Sequence, residues 1–341
     1  MEESQAQSSP KLVISAPPHI RTIESIPKIM YGVAVALLPA LLGALYFFGW
    51  RALWLTAVSV IFCLGTEALI QKLRKVPITI SDGSALVTGI LLAFNLPPGT
   101  PWWIAAIGAA FAIGIGKQAF GGLGLNPMNP ALLGRAFLMV SWPVHMTTDW
   151  TSPYNGTMSG LAAITGSTPL AAIKSALKDL AAGVNVEQAH QTLDSIGQTY
   201  KPLFWGQVGG CIGETSVILL LIGTVYLFYK GYINYRIPVA YIGSVAIIAW
   251  IFGGAEYFEG DIIFHIFAGG LILGAFFMAT DMVTSPSTPH GQWIFGLGCG
   301  IITMLIRLKG GYPEGVSYSI LLMNLTSPLL DRYTRPKVFG A

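Results

Sequence analysis

The stretch Ile29-Met-Tyr-Gly-Val-Ala-Val-Ala-Leu-Leu-Pro-Ala-Leu-Leu-Gly-Ala-Leu-Tyr-Phe-Phe-Gly49 carries no charged side chain. About 20 apolar residues is the length that an α-helix needs to cross the hydrocarbon core of a bilayer. Apolar runs recur along the chain, and the breakers between them delimit ten segments: 29–49, 53–71, 84–96, 102–120, 130–142, 214–230, 237–253, 262–280, 292–308 and 316–330. The sequence therefore predicts an all-α membrane protein with about ten transmembrane helices.

The composition of the whole chain favours the same class. Of 341 residues, 53% are hydrophobic and only 10% are charged, and the mean hydropathy is +0.62. A soluble domain carries about 25% charged residues, so this chain has too little polar surface to face water. The net charge of +3 is too small to argue for nucleic-acid binding. The three cysteines are widely separated and form no CxxC motif, which argues against a metal site held by this chain alone.

Basic residues in the short loops predict the orientation, because Lys and Arg are enriched on the cytoplasmic side. When ten crossings are counted, most of these basic residues fall on one side of the membrane, and Arg307 and Lys309 are the exceptions. Both termini are then cytoplasmic, residues 143–210 are external, and the polar N-terminal stretch shows no signal peptide. The predicted organisation is a cytoplasmic tail, a five-helix repeat, an external loop, a second five-helix repeat and a cytoplasmic tail: 1–28, 29–142, 143–212, 213–331 and 332–341.

The two halves of the chain resemble each other. Three features recur in the same order, namely an aromatic run, an apolar run followed by prolines, and a Gly-Gly pair. The first is Gly43-Ala-Leu-Tyr-Phe-Phe48, which returns as Gly223-Thr-Val-Tyr-Leu-Phe228. Because five crossings is an odd number, the second repeat is expected to be inverted, with short or broken segments meeting near the membrane midplane. Two interpretations remain open at this point, a working small-solute pathway and a duplicated scaffold whose pore is plugged.

Ionisable residues in or near the predicted spans are costly in lipid, so each is expected to face the bundle interior, a partner or water. Four lie close to span ends, where long side chains can reach the membrane surface: Lys117, Arg135, Glu214 and Arg307. Three others are harder to dismiss, and we interpret them as candidate coupling residues for ion passage: Glu67, His265 and Asp281.

Two local patterns predict helix starts. Asn129 followed by Pro130 ends a glycine-rich turn and predicts an N-cap with proline at the first helical position. In the long loop, Thr168 followed by Pro169 predicts the same arrangement before an amphipathic helix, and we expect the Thr168 hydroxyl to be exposed beyond the bilayer. A helix N-terminus suits a phosphate, although an ordinary Thr-Pro helix start explains the pattern equally well.

Motifs across nearly the whole chain resemble the RnfD/NqrB family of membrane flavoproteins. They are Ser81-Asp-Gly-Ser-Ala-Leu-Val-Thr-Gly89, Gly121-Gly-Leu-Gly-Leu-Asn-Pro-Met-Asn-Pro-Ala131, Thr165-Gly-Ser-Thr-Pro-Leu170, Thr280-Asp-Met-Val-Thr-Ser-Pro286 and Gly310-Gly-Tyr-Pro-Glu-Gly-Val-Ser-Tyr-Ser319. The short N-terminal tail resembles the Rnf branch more than the sodium-pumping quinone reductase branch.

The resemblance implies a specific site. In the family, a flavin transferase outside the cytoplasm esterifies the phosphate of FMN to a threonine in a motif similar to Ser-Gly-Ala-Thr. The matching acceptor here is Thr168, preceded by Gly166 and Ser167. A second, noncovalent flavin such as riboflavin within the bundle is also consistent with the family, without assigned residues.

The resemblance also implies a fold, a location and a function. The fold is similar to that of urea and ammonium channels, and the location is the bacterial cytoplasmic membrane. The function is that of a flavin-carrying subunit of an ion-translocating ferredoxin:NAD oxidoreductase complex, surrounded by lipid and by the other Rnf subunits and not active alone. The alternatives are a stand-alone small-solute channel, a purely structural subunit, and the NqrB subunit of the sodium-translocating NADH:quinone reductase.

Overall fold

A computed structural model of the chain describes residues 24–147, 150, 153, 168–214, 216–254, 256–312 and 314–335. All regular secondary structure in these ranges is helical. The α-helices of the first half are α1 Ile26–Phe48, α2 Trp50–Leu73, α3 Ser84–Phe94, α4 Trp102–Gly114 and α5 Pro130–Ser141. Those of the loop are α6 Pro143–Thr147, α7 Pro169–Ala182, α8 Val186–Asp194 and α9 Tyr200–Trp205. Those of the second half are α10 Val217–Lys230, α11 Arg236–Phe252, α12 Ile262–Phe267, α13 Leu271–Leu273, α14 Pro289–Lys309 and α15 Val316–Tyr333.

Each of the ten predicted apolar segments contains helix in the structure. Four helical stretches are long and apolar enough to cross a membrane: Ile26–Phe48, Trp50–Leu73, Trp102–Phe120 and Pro289–Lys309. The segment predicted at 262–280 departs most from a simple span, because it is broken between α12 and α13 and then continues as a π-helical turn, Gly274–Met278. The break follows from Gly269 and Gly270, whose φ angles of 60° and 48° lie in the left-handed region that glycine tolerates.

The helices pack in a similar order in both halves. In the first half α2 packs against α3 and α4, and α4 packs against α5. In the second half α11 packs against α14, and α14 packs against α15. The halves join where α1 contacts α10 and where α5 contacts α15. A single apolar core runs through both halves.

The outer faces of these helices are apolar as well. Leu42 on α1, Ile61 on α2 and Val225 on α10 are 65%, 63% and 67% exposed. Soluble proteins rarely expose contiguous apolar surface of more than a few hundred Å². A helical bundle that is apolar both inside and outside is suited to lipid, and this chain is a membrane protein.

The loop between the halves folds into a small helical layer. Leu170 and Ile173 from α7 and Leu203 from α9 form an apolar cluster with Phe264 and Ala268 at α12. The layer therefore lies on the broken helix of the second half. This packing places the start of α7 beside the break.

Candidate functional site

Arg307 stabilises the broken helix of the second half. Its Nη1 donates to the carbonyl oxygen of His265 at 2.5 Å, and its Nη2 donates to those of Ala268 and Gly269 at 2.8 and 2.9 Å. The end of a helix leaves carbonyl oxygens without intrahelical donors, and a buried guanidinium can satisfy several of them at once. Arg307 is only 3% exposed, so the expectation that it reaches the membrane surface is wrong.

The end of the short helix α3 is covered by the segment that precedes α10. The N–H of Ile212 donates to the Leu96 oxygen at 3.0 Å, and that of Gly213 donates to the Phe94 oxygen at 2.9 Å. A Cβ added at Gly213 would lie 2.3 Å from the Phe94 side chain, so this close approach requires glycine. The segment thereby satisfies carbonyl oxygens at the end of α3 and carries Glu214 into the bundle.

Arg135 and Glu314 form a buried ion pair at the interface between the halves, in which Oε2 of Glu314 lies close to Nη2 of Arg135. Nη1 of the same guanidinium donates to Asn95 Oδ1 at 2.7 Å. Arg135 is 3% exposed and Glu314 is 8% exposed, so the prediction that Arg135 reaches the membrane surface is also wrong. Sequence reasoning missed Glu314 as a site residue. Its signal in the sequence was its position in the Gly310–Ser319 motif, between two apolar runs.

Glu214 lies beside this pair. Its Oε1 accepts a hydrogen bond from the backbone N–H of Cys211 at 2.8 Å, and Glu214 is 9% exposed. This burial agrees with the expectation that Glu214 faces the bundle interior, and the alternative that it reaches the membrane surface from a span end is wrong. Glu214 lines a small cavity together with Glu314 and Thr168.

Thr168 caps α7 as predicted. Its Oγ1 accepts a hydrogen bond from the backbone N–H of Ala171 at 3.3 Å, and Pro169 occupies the first turn. The exposure expected for this side chain is not observed, because Thr168 is only 4% exposed. Leu170, next along the chain, packs into the apolar cluster and draws the start of α7 against the bundle. Gly166 and Ser167 lie outside the described residues.

The residues around Thr168 fit the phosphate end of the flavin that the resemblance implies. A 14-residue helix begins at this hydroxyl, and its first turn offers the positive end of the helix dipole. Of the two carboxylates that line the cavity, Glu314 is paired with Arg135, and Glu214 is not paired with a cation among the described residues. The helix dipole is therefore the feature of this site that favours a phosphate.

Two polar contacts fix the loop layer on the second half. Lys174 Nζ donates to the carbonyl oxygens of Ile306, Gly310 and Tyr312 at 3.2, 2.5 and 2.7 Å, where α14 ends. Partial burial lowers the pKa of this ammonium group. The hydroxyl of Tyr200 donates to Asp261, and burial together with this carboxylate raises the Tyr200 pKa to about 12.

A second buried charge pair lies in the first half. Lys117 Nζ contacts Glu67 Oε1 at 2.6 Å and Ser84 Oγ, at the start of α3, at 2.5 Å. The same Oε1 accepts from Gln118 Nε2 at 2.9 Å, whereas Oε2 of Glu67 has no partner. Lys117 and Glu67 are 2% and 0% exposed, so the prediction that Lys117 reaches the surface is wrong.

Lys117 and Asp281 both line a cavity between the halves with a volume of about 90 Å³. Its walls are largely apolar, but Asn126 on one wall is 5% exposed, and its Oδ1 has no hydrogen-bond partner among the described residues. Asp281 accepts from Val283 N and Thr284 Oγ1 at 3.3 and 3.1 Å, which orders the turn after the π-helical segment. The structure thus brings Lys117 and Asp281 to this cavity, and Glu67 is linked to it only through its ion pair with Lys117.

His265 lies elsewhere, beside Arg307 in the second half. It is 3% exposed, and its Nδ1 has no partner. The three candidate coupling residues therefore belong to two separate sites. The cysteines Cys63, Cys211 and Cys299 are buried and free.

Comparison with known proteins provides independent information. The D subunit of the proton-translocating ferredoxin:NAD(+) oxidoreductase complex of Clostridium ljungdahlii is 50% identical over 341 residues, covering 100% of this chain and 99% of that protein. The D subunit of the Na(+)-translocating ferredoxin:NAD(+) oxidoreductase complex of Acetobacterium woodii is 51% identical over 331 residues, covering 96% and 95%.

A more distant relative shows the same coverage. The D subunit of the ion-translocating oxidoreductase complex of Salmonella enteritidis is 36% identical and covers 96% of this chain and 98% of its own. The family model described as NQR2, RnfD, RnfE matches residues 13–340. With relatives of this identity aligned end to end, the chain belongs to the NQR2, RnfD, RnfE family.

Proposed function

We propose that this chain is the D subunit of an ion-translocating ferredoxin:NAD+ oxidoreductase complex, in which it passes electrons and helps couple their transfer to the movement of Na+ or H+. The observation that carries the proposal is the end-to-end identity of about half with two proteins that bear this name. The chain's own partners are then the other subunits of the complex, a maturation enzyme and membrane lipid.

Within this function, Thr168 is the attachment residue for FMN, bound through its phosphate, with Gly166 and Ser167 as the flanking motif. The flavin supplies one-electron redox chemistry when bound. The chain contributes the capping hydroxyl, whose oxygen would form the ester bond, and the N-terminal end of α7, whose dipole would stabilise the phosphate. Lys174 holds α7 against the end of α14, which fixes the position of the attachment residue.

In-gel fluorescence tests the attachment. The chain, produced with a flavin transferase of its family and then denatured, is expected to fluoresce under ultraviolet light, and Thr168→Val should be dark. Ser167→Ala is the matched control, because it keeps the acceptor and brings the motif closer to Ser-Gly-Ala-Thr; it should fluoresce. A dark wild-type chain, or a fluorescent Thr168→Val chain, would reject Thr168 as the flavin carrier.

The predicted topology of ten spans in two inverted repeats, with cytoplasmic termini and an external loop, is part of the proposal. The similar packing order in both halves supports the duplication. Because Cys63, Cys211 and Cys299 are buried, single introduced cysteines report sidedness against a low background. In intact bacteria a membrane-impermeant maleimide should label Glu187→Cys on exposed α8 and spare Lys75→Cys. The reverse pattern would invert the topology.

For a second, noncovalent flavin such as riboflavin, we propose the cavity lined by Lys117, Asn126 and Asp281. Its apolar walls suit a planar ring system, and the Oδ1 of Asn126, which has no partner among the described residues, can accept from a ring N–H. Thr168→Val protein cannot carry the covalent flavin, so any flavin extracted from it after purification comes from this cavity. Retention by that protein and loss in Thr168→Val/Asn126→Leu are expected, and a flavin-free Thr168→Val protein would exclude the site.

Glu67, His265 and Asp281 remain the candidate coupling residues. Asp281→Asn keeps the shape of the side chain and removes its charge, so coupled ion transport by the assembled complex should fall while electron transfer persists. Unchanged coupled transport would remove Asp281 from the set.

A stand-alone solute channel is the competing function. The packing at the centre of the bundle argues against a pore, because Asn95 Nδ2 lies 3.6 Å from Met278 Sδ and the neighbouring Phe94 is 0% exposed.

A purely structural subunit is the other alternative. Electron transfer that persists in a complex assembled with Thr168→Val would favour it.

A further inference from the structure

Glu214 is a buried carboxylate whose hydrogen bonds come from neutral groups of its own segment. Oε1 accepts from the Cys211 N–H at 2.8 Å, and the Cys211 thiol also interacts with this carboxylate. Oε2 points to the helix break, where it would lie 2.8 Å from a Cβ built on Gly270. Glu214 is 9% exposed, and it lines the small cavity at the start of α7.

The cationic side chains near Glu214 bind other groups. Arg135 contacts Glu314, and Arg307 donates to three backbone carbonyl oxygens. Among the described residues, no basic side chain lies within 4.0 Å of a Glu214 oxygen, as the ion pairs found there are Lys28–Glu24, Lys117–Glu67 and Arg135–Glu314. Burial of a carboxylate without a cation favours its protonated form.

The groups that face Glu214 come from every element around it. They are the thiol of Cys211 in its own segment, Arg135 on α5, Glu314 before α15 and Arg307 on α14. Glu314 opposes ionisation of Glu214, and the two guanidinium groups favour it. This balance leaves Glu214 responsive to any further charge placed in the cavity.

Thr168 lines the same cavity as Glu214, with Gly269 between the two walls. Charges interact strongly across a water-poor site, because the effective dielectric constant there is far below that of water. We propose that Glu214 is a proton-binding residue whose occupancy is coupled to the charge on the group carried by Thr168. This inference rests on the proposed function for the identity of that group.

The coupled step balances in charge. A reduced one-electron carrier of the complex adds one negative charge at the flavin and is itself oxidised. A hydronium ion in the water of the cavity then transfers its proton to Glu214 Oε2, so one O–H bond breaks in hydronium, one forms on the carboxyl group, and the net charge of the site is unchanged. Reoxidation of the flavin by the next carrier releases the proton.

Infrared spectroscopy tests the proton site without the flavin. In Thr168→Val protein, a carbonyl band of a protonated, deuterium-sensitive carboxylic acid should rise as the pH falls. It should be absent from Thr168→Val/Glu214→Gln and present in Thr168→Val/Glu187→Gln, the control at an exposed carboxylate. Size-exclusion profiles and thermal unfolding verify that each variant folds. A band unaffected by Glu214→Gln, or one that responds to Na+ instead of pH, overturns the proposal.

Redox titration of the covalent flavin tests the coupling. In the pH range where the Glu214 band titrates, the midpoint potential of the wild type should fall more steeply with pH than that of Glu214→Gln. The difference should approach about 59 mV per pH unit for one proton per electron. Equal slopes overturn the coupling. Absence of covalent flavin from the wild type rejects the proposed carrier at Thr168, and the infrared band of Glu214 would then stand as a separate result.

Discussion

Removing one member of the Lys117–Glu67 pair should be more harmful than removing both charges. Lys117→Met leaves the Glu67 carboxylate, 0% exposed, without its cation at 2.6 Å. Breaking a buried ion pair in this way costs about 3–5 kcal/mol, because the remaining charge stays desolvated. In Glu67→Gln/Lys117→Met no charge remains, and the amide can still bond to Gln118. We expect the double variant to recover at least about half of the loss.

Thermal unfolding of detergent-purified protein, followed by tryptophan fluorescence, measures this difference. A loss of 1 kcal/mol lowers Tm by roughly 2–4 °C in chains of 150–250 residues, so Lys117→Met should lie several degrees below wild type. Lys72→Met is the matched control, because Lys72 is exposed at the end of α2. Two results would contradict this reasoning. One is a Tm of Lys117→Met equal to that of the wild type, and the other is a fall in Tm of the double variant equal to the sum of the falls for Lys117→Met and Glu67→Gln. Either would mean that the two charges do not stabilise each other in a dry interior.

Three further substitutions test the packing around the site. Gly213→Ala forces a Cβ to within 2.3 Å of a side chain on α3 and should cost about 1–3 kcal/mol, measured by thermal unfolding; a wild-type Tm would mean that the segment can move away. Lys174→Met removes three hydrogen bonds to the end of α14, so limited proteolysis should cut α7 faster while the spans stay intact; equal rates would show that apolar packing alone holds the layer. Tyr241→Phe deletes a hydroxyl shared with Thr303 and Ser319 and should cost about 1 kcal/mol, and an unchanged Tm would show that those two hydroxyls satisfy each other.

The sequence was informative wherever structure depends on neighbouring residues. Apolar runs predicted helices at all ten positions because a helix in a bilayer must be apolar along its whole length. The Asn129 N-cap is confirmed by its side chain, which accepts from the N–H groups of Ala131 and Leu132 at 3.0 and 3.4 Å. Thr168 caps α7 in the same way. Each of these features is encoded within about four residues of chain.

The charged sites depend on contacts between distant parts of the chain, and sequence patterns do not report those. Lys117 meets Glu67 from 50 positions away, and Arg135 meets Glu314 from 179 positions away. Proximity to a span end therefore gave the wrong prediction for Lys117, Arg135 and Arg307. Their side chains point inward because short and broken helices leave polar backbone groups and carboxylates inside the bundle, and these require cations there.

The two buried cations on the long helices of the halves have comparable roles. Lys117, just beyond α4, contacts Ser84 at the start of the short helix α3, and Arg307 on α14 donates to the carbonyl oxygens around the break after α12. In each half, a charge from the fourth apolar segment thus secures the third segment, which is a short helix in the first half and a broken one in the second. A broken helix inside lipid is stable only when such groups satisfy its free ends. Polar residues at these positions are therefore a requirement of the fold. This requirement does not explain Glu214, which pairs with no cation among the described residues.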